Sequence, residues 1–255
     1  MMKIKSLLVL VVFCLFLSSC FDIEETYNLN ADGSYVVNYN LNMGQLIKMV
    51  NMMTPDSVKQ TKDYQVAKDT LVNLGSIPDS LKNKFNAEEI ALMKESDMRL
   101  QMNMAEGIFN INFSNKGRSA NELSYFLHHF GELMQKGKVG DMMKPKGVPA
   151  ETGGAPDVPF KNKEYDYVIT PRLFERKIKP EVFVAVKEKD KQTFELMKGM
   201  NMKMGSTVVV NLPRPAKSTG NPNAVLSADK KQVTLKFDML EALDKPELLN
   251  FKIEY

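Results

Sequence analysis

Met197, Met200, Met202 and Met204 form the densest set of soft ligands in a chain of 255 residues. Thioether sulfurs at such spacings suit Cu(I), which prefers soft donors. The same residues also suit packing, because Phe194, Met197 and Met200 fall on one helical stripe and methionine fills irregular gaps wherever it occurs. With 18 methionines in the chain, packing is the leading reading and Cu(I) the alternative. His128-His129 is the only histidine pair. Adjacent helical side chains diverge by about 100°, so the pair cannot easily share one ion. The chain is read as carrying no metal and no cofactor.

Cys20 carries a different chemistry, because it follows Leu17-Ser18-Ser19 at the end of an apolar run that begins after Lys3 and Lys5. A positive start, a short apolar stretch and small residues before a cysteine make a cleavable export signal. The run is shorter than the ~20 residues that span a bilayer, and Asp22, Glu24 and Glu25 follow it at once. Leu17-Ser18-Ser19-Cys20 resembles the lipobox of bacterial lipoproteins. That resemblance implies a signal peptide over 1–19, a diacylated Cys20 as the mature N-terminus, and anchorage to a membrane through its acyl chains. Cleavage also removes Cys14, the only other cysteine. The mature chain is then left without a disulfide, a thiol nucleophile or a thiolate metal site.

The charge balance excludes one class of partner. There are 34 basic and 31 acidic side chains, and two of the basic ones lie in the signal. A nucleic-acid binder would show a clustered basic excess; here Lys161–Lys163, Lys187–Lys191 and Lys230-Lys231 are interleaved with acids. The sequence has no Gly-x-Ser-x-Gly, no His-Glu-x-x-His and no phosphate-binding glycine loop. No catalytic residue is assigned, and a hydrolase built from residues distant in sequence ranks, with the Cu(I) binder, below the binding readings.

Hydrophobic periodicity gives the elements that would position any site. Tyr35, Val37, Tyr39 and Leu41 alternate with polar residues after an Asp32-Gly33 turn, which marks a hairpin. Asn42 with Gln45 predicts a capped helix carrying Met43, Leu46, Ile47, Val50 and Met53. The stretch 54–86 reads as loops around short elements, and Asn86 with Glu89 caps a helix through Met93. A second hairpin over 98–113 and a helix over 119–135, with Leu123, Phe126, Leu127, Phe130 and Met134 on one stripe, repeat the order strand, strand, helix. Residues 137–163 form a Gly/Pro-rich mobile loop. Beyond it lie strands over 164–170, 207–212, 224–227, 233–237 and 249–255, while 181–188 fits helix or strand equally. The fold class is α+β: largely antiparallel sheets with helices on one face, in strand–strand–helix units. The chain divides into signal 1–19, acylated acidic tether 20–25 and one domain over 26–255.

The run from Glu25 to Leu41, Glu-Thr-Tyr-x-Leu-Asn-x-Asp-Gly-Ser followed by an alternating strand, resembles the opening of uncharacterised Bacteroidota-type lipoproteins and, more distantly, the LppM-like lipoprotein domain. The resemblance implies an α+β domain exposed in the cell envelope. Asp22, Glu24 and Glu25 resemble an acidic export signal for the outer face of the outer membrane. Asp56-Ser57-Val58, Asp69-Thr70-Leu71 and Asp79-Ser80-Leu81 resemble O-glycan acceptor triplets, with Ser57, Thr70 and Ser80 as acceptors. The expectation is a non-enzymatic, outer-membrane lipoprotein on the periplasmic or surface face, binding an envelope protein or lipid. The alternative is a hydrophobic-ligand carrier whose groove is lined by Met43, Met49, Met53, Phe126, Phe130 and Met134.

Overall fold

The computed structural model describes residues 21–76, 83–137, 164–189, 191–200 and 202–255. Cys20, Ser80 and the loop expected over 137–163, apart from Gly137, lie outside these residues. Two hairpins build the first half of the large sheet. They are β1 (Phe21–Leu29) with β2 (Tyr35–Asn42), and β4 (Ser96–Asn103) with β5 (Ile108–Gly117). Each is followed by a helix, α1 (Gly44–Met53) and α5 (Ala120–Lys136). Between them come α2 (Asp56–Lys59), α3 (Lys62–Gln65), β3 (Lys68–Asn73) and α4 (Ala87–Lys94). The second half runs β6 (Tyr165–Thr170), β7 (Leu173–Ile178), α6 (Pro180–Lys189), α7 (Lys191–Gly199), β8 (Met204–Asn211), β9 (Val225–Leu226), β10 (Gln232–Asp238), α8 (Met239–Ala242), a 3-10 turn (Pro246–Leu249) and β11 (Phe251–Glu254).

Eight strands form one sheet in the order β3-β4-β5-β2-β1-β8-β10-β9, and β11-β7-β6 form a second. Every neighbouring pair is antiparallel except β1 with β8. The architecture is therefore α+β. Period two sorts each strand onto two faces. Ile23 and Tyr27, Val37 and Tyr39, Met98 and Leu100, Ile111 and Phe113, Val208 and Val210, and Val233 and Leu235 all point inward and are buried. Helix α5 lays Leu123, Phe126, Leu127 and Phe130 on this inner face. Phe130 stacks on Tyr39 at 5.2 Å between centroids, and Phe113 lies 4.7 Å from Phe130.

The stretch expected to be a tether is the start of a central strand. Asp22 and Glu24 alternate with Ile23, Glu25 and Tyr27, so the first two acids face solvent and β1 begins at Phe21. The alternation outranks the acidity. The N-cap position of α1 is Met43 and not Asn42, which ends β2 opposite Asn110; the Asn42 Oδ1 still accepts the N–H of Gly44, the first helical residue, at 2.9 Å. The Asn86–Glu89 capping box forms in both directions. Residues 181–188 are helical. The region 54–86, expected to be irregular, also contributes the edge strand β3.

Strand β7 escaped the periodicity because Leu173-Phe174-Glu175-Arg176-Lys177-Ile178 does not alternate. It runs between two neighbours, with Phe174 and Arg176 fully buried on its inner face, while on the other face Glu175 is nearly buried and Lys177 is exposed. Arg176 bridges the sheets. Its Nη1 lies 3.1 Å from Glu25 on β1, its Nε donates to the Leu249 carbonyl at 3.2 Å, and its guanidinium stacks over Tyr165 and Phe251. Burial opposes the charge on Arg176, but Glu25 and the surrounding tyrosine oxygens outweigh it and hold the guanidinium protonated. The Tyr27 hydroxyl donates to Glu25 at 2.6 Å. Burial first, and then the Glu25 carboxylate, push the Tyr27 phenol well above its ordinary value.

Candidate functional site

The helices α4 and α5 and the small sheet all pack on the inner face of the large sheet. The face carrying the other half of each strand's side chains is solvated across most of its strands. On β2 and β5 this face carries Val36, Ile108, Ser114 and Lys116 and, between them, five asparagines: Asn38, Asn40 and Asn42 on one strand, Asn110 and Asn112 on the other. The register sets Asn40 opposite Asn112, Asn42 opposite Asn110 and Asn38 opposite Ser114. Directly opposed side chains in such pairs lie ~5 Å apart, so the amides form a compact block at the middle of the face.

The flanks of this block use their polar groups on the protein itself. On one side Asn211 donates to Asn28 at 2.7 Å and Gln232 donates to Asn211 at 2.9 Å, an amide ladder across β1, β8 and β10. On the other, Arg99 grips Asp69 through two bonds of 2.8 and 2.7 Å, and Gln101 adds a third at 3.2 Å. The hydrogen bonds from Arg99 and Gln101 hold the Asp69 carboxyl at a pKa of about 2. Thr26 donates to Glu24 at 3.3 Å on β1. Among the described residues, the side-chain amides of Asn38, Asn40, Asn110 and Asn112 bond to no protein group. Each amide offers two donors and an acceptor with two lone pairs.

Such a block runs against local preference. Asparagine is depleted in strands, because its side chain competes for backbone hydrogen bonds and packs poorly on a pleated surface. Departures of this kind concentrate where a surface has a task. The chemistry available is multiple hydrogen bonding to a polar partner over a flat area. Arg99 and Lys236 lie at the two ends of the row Arg99, Asn112, Asn40, Glu24, Thr207 and Lys236, with Glu24 within it. The sequence signal is the period-two run Asn38-x-Asn40-x-Asn42 with Asn110-x-Asn112, interleaved with the stronger apolar signal of the residues that build the core.

The residues expected to act fall elsewhere. Met43, Phe126, Phe130 and Met134 are core residues, whereas Met49 is half-buried and Met53 is 82% exposed on α1. These six do not line one groove, because the aromatic stripe of α5 is consumed by Tyr39 and Phe113. Met202 is buried, Met197 and Met204 are half-buried and Met200 is exposed, along the path from α7 into β8. His128 and His129 each bond a carbonyl one turn back, at Ser124 and Tyr125, and His129 stacks on Tyr125. Among the described residues no three His, Cys, Asp or Glu side chains gather as metal ligands would. Ser57 is exposed on α2, and Thr70 sits half-buried in β3.

A cleft of about 340 Å³ opens between the β1–β2 turn and the start of α5, with Asp32, Arg118 and Arg214 on its walls. The helix end there is already served by the chain: Ser119 accepts from the Glu122 N–H, and the Glu122 carboxylate accepts from the Arg118 N–H. The cleft therefore ranks below the asparagine block. The chain matches no known family model, no curated protein and no solved structure.

Proposed function

We propose that the chain is a non-enzymatic lipoprotein of the cell envelope, held to the outer membrane by acyl chains on Cys20, whose working surface is the asparagine block on β2 and β5. The single observation behind the reading is the set of four central amides without a protein partner, on strands whose inner faces are fully packed. A rigid sheet presents them in fixed register, which lowers the ordering cost of binding. The block has no aromatic platform and little net charge, and it suits a polar protein surface that can satisfy several amides at once.

The test is site-specific photo-crosslinking in the native cells. A photoreactive residue at Asn40 or at Asn112 is expected to give the same discrete adduct, absent when the probe is at Ser57. If neither position gives an adduct while the anchored protein is present at normal level, the binding-surface reading is wrong.

A further inference from the structure

We propose that the end of the large sheet where β1 begins is a membrane-docking surface, and that Met52 and Met53 of α1 with Leu196 and Met200 beside α7 rest in the lipid interface. The proposal builds on the lipoprotein reading above and adds which surface meets the lipid. Covalent geometry sets the first constraint. Cys20 precedes Phe21 by one peptide bond, so their Cα atoms are about 3.8 Å apart, and Phe21 is already paired with Met204 in the sheet. An acyl-bearing Cys20 therefore has no spacer between it and the folded domain.

The structure also determines what else lies at that end. The pairs Asp22 with Asn42 and Asn42 with Asn110 place the end of β2 and the start of β5 there, and the pair Phe21 with Met204 adds the start of β8. Helix α1 leaves β2 at this point and lies over the β4–β5 turn, with Ile47 buried and Asn51 donating to the Met104 carbonyl. At 100° per residue, Met52 and Met53 point away from Ile47. They are 84% and 82% exposed, the highest values among the large apolar side chains of the described residues. Leu196, within α7, and Met200, just after it, are 61% and 47% exposed, and β8 begins at Met204. Lys48 and Lys203 share this end with Asp22 and Glu106, so apolar insertion and not net charge would dominate. The opposite end of β1 carries the polar turn Asn30-Ala31-Asp32-Gly33-Ser34.

Docking would set orientation, since acyl chains already supply retention. With this end on the bilayer, β1 and β2 run away from the lipid and the asparagine block faces sideways into the envelope.

The sequence contains no tryptophan, so one introduced indole is a unique reporter. The full chain, processed in cells and reconstituted in phosphatidylcholine vesicles, is compared with plain or brominated acyl chains for Met53→Trp, Leu196→Trp and Ala31→Trp. Emission from the first two should fall by about half or more, as for side chains ~5–10 Å deep, and emission from Ala31→Trp should not change. Adding Met52→Asp and Met53→Asp to Leu196→Trp should relieve the quenching. Mass spectrometry of the N-terminal peptide reads acylation separately. An acylated N-terminus without quenching at 53 and 196 overturns the docking surface and leaves the anchor. Quenching without acylation keeps the docking surface and overturns the anchor. Neither signal overturns both.

Discussion

Arg176 and Glu25 meet at 3.1 Å between the two sheets, the first fully buried and the second with 13% of its side chain exposed. Each satisfies a charge that the other's burial would leave stranded. Breaking such a pair from one side costs about 3–5 kcal/mol, because the remaining charge stays in a poor dielectric. Glu25→Gln should therefore lower the unfolding free energy by roughly that amount, whereas Glu25→Leu with Arg176→Met should recover most of the loss. Urea melts of the two variants check this, and equal losses in both would refute it.

Phe130 should behave as a core residue and not as a ligand contact. Its ring touches Tyr39, Phe113 and Phe126, and truncating a buried phenylalanine costs about 3–5 kcal/mol. Phe130→Ala is expected to lose that much stability in thermal melts, while Met53→Ala, at an exposed position, should stay within about 0.5 kcal/mol of the parent.

The asparagine block predicts an opposite pairing of effects. Asn40→Thr and Asn112→Thr place better strand formers on the same face, so each should leave stability unchanged or raise it by up to about 1 kcal/mol. The photo-adduct formed at the neighbouring position should fall sharply in the same variants. A loss of stability with an unchanged adduct would assign these asparagines to the fold.

Alkali should expose the tyrosine cluster. Burial is the main cause that pushes Tyr165 up to about 12, and it raises Tyr27 and Tyr167 well above the ordinary phenol value. A phenol raised in the fold and ordinary when unfolded contributes its stability below pH ~10, and that contribution is lost as pH rises from ~10 through the folded value. Phenolate absorbance should therefore lag a free tyrosine titration and then rise together with loss of the circular-dichroism signal. A smooth titration near pH 10 in the folded protein would contradict the burial.

How much of this was legible depended on whether one face of an element was dry and the other wet. Tyr35 to Leu41 and Ile108 to Phe113 alternate because one side is core, and α5 shows its stripe for the same reason. Strand β7 has a charged residue, Arg176, at an inward position two residues after Phe174, so no hydrophobic period marks it. Its one local cue was Thr170-Pro171-Arg172, a turn placed directly after an alternating strand. The Arg176–Glu25 contact spans 151 residues and leaves no local signature. Asn40 and Asn112 were readable as strand positions, but their lack of partners is a property of the assembled sheet.

The parallel pairing of β1 with β8 has a consequence for the order of events during folding. Strand β1 waits for a neighbour that lies far later in the chain, Phe21 pairing with Met204, and loop closure over such a distance is slow. Until β8 arrives, β1 offers a bare row of backbone donors and acceptors, with Tyr27 and Ile23 uncovered beside it, the kind of edge that recruits other chains. That edge is most exposed to wrong pairing before roughly the last fifty residues, which begin with β8, are in place.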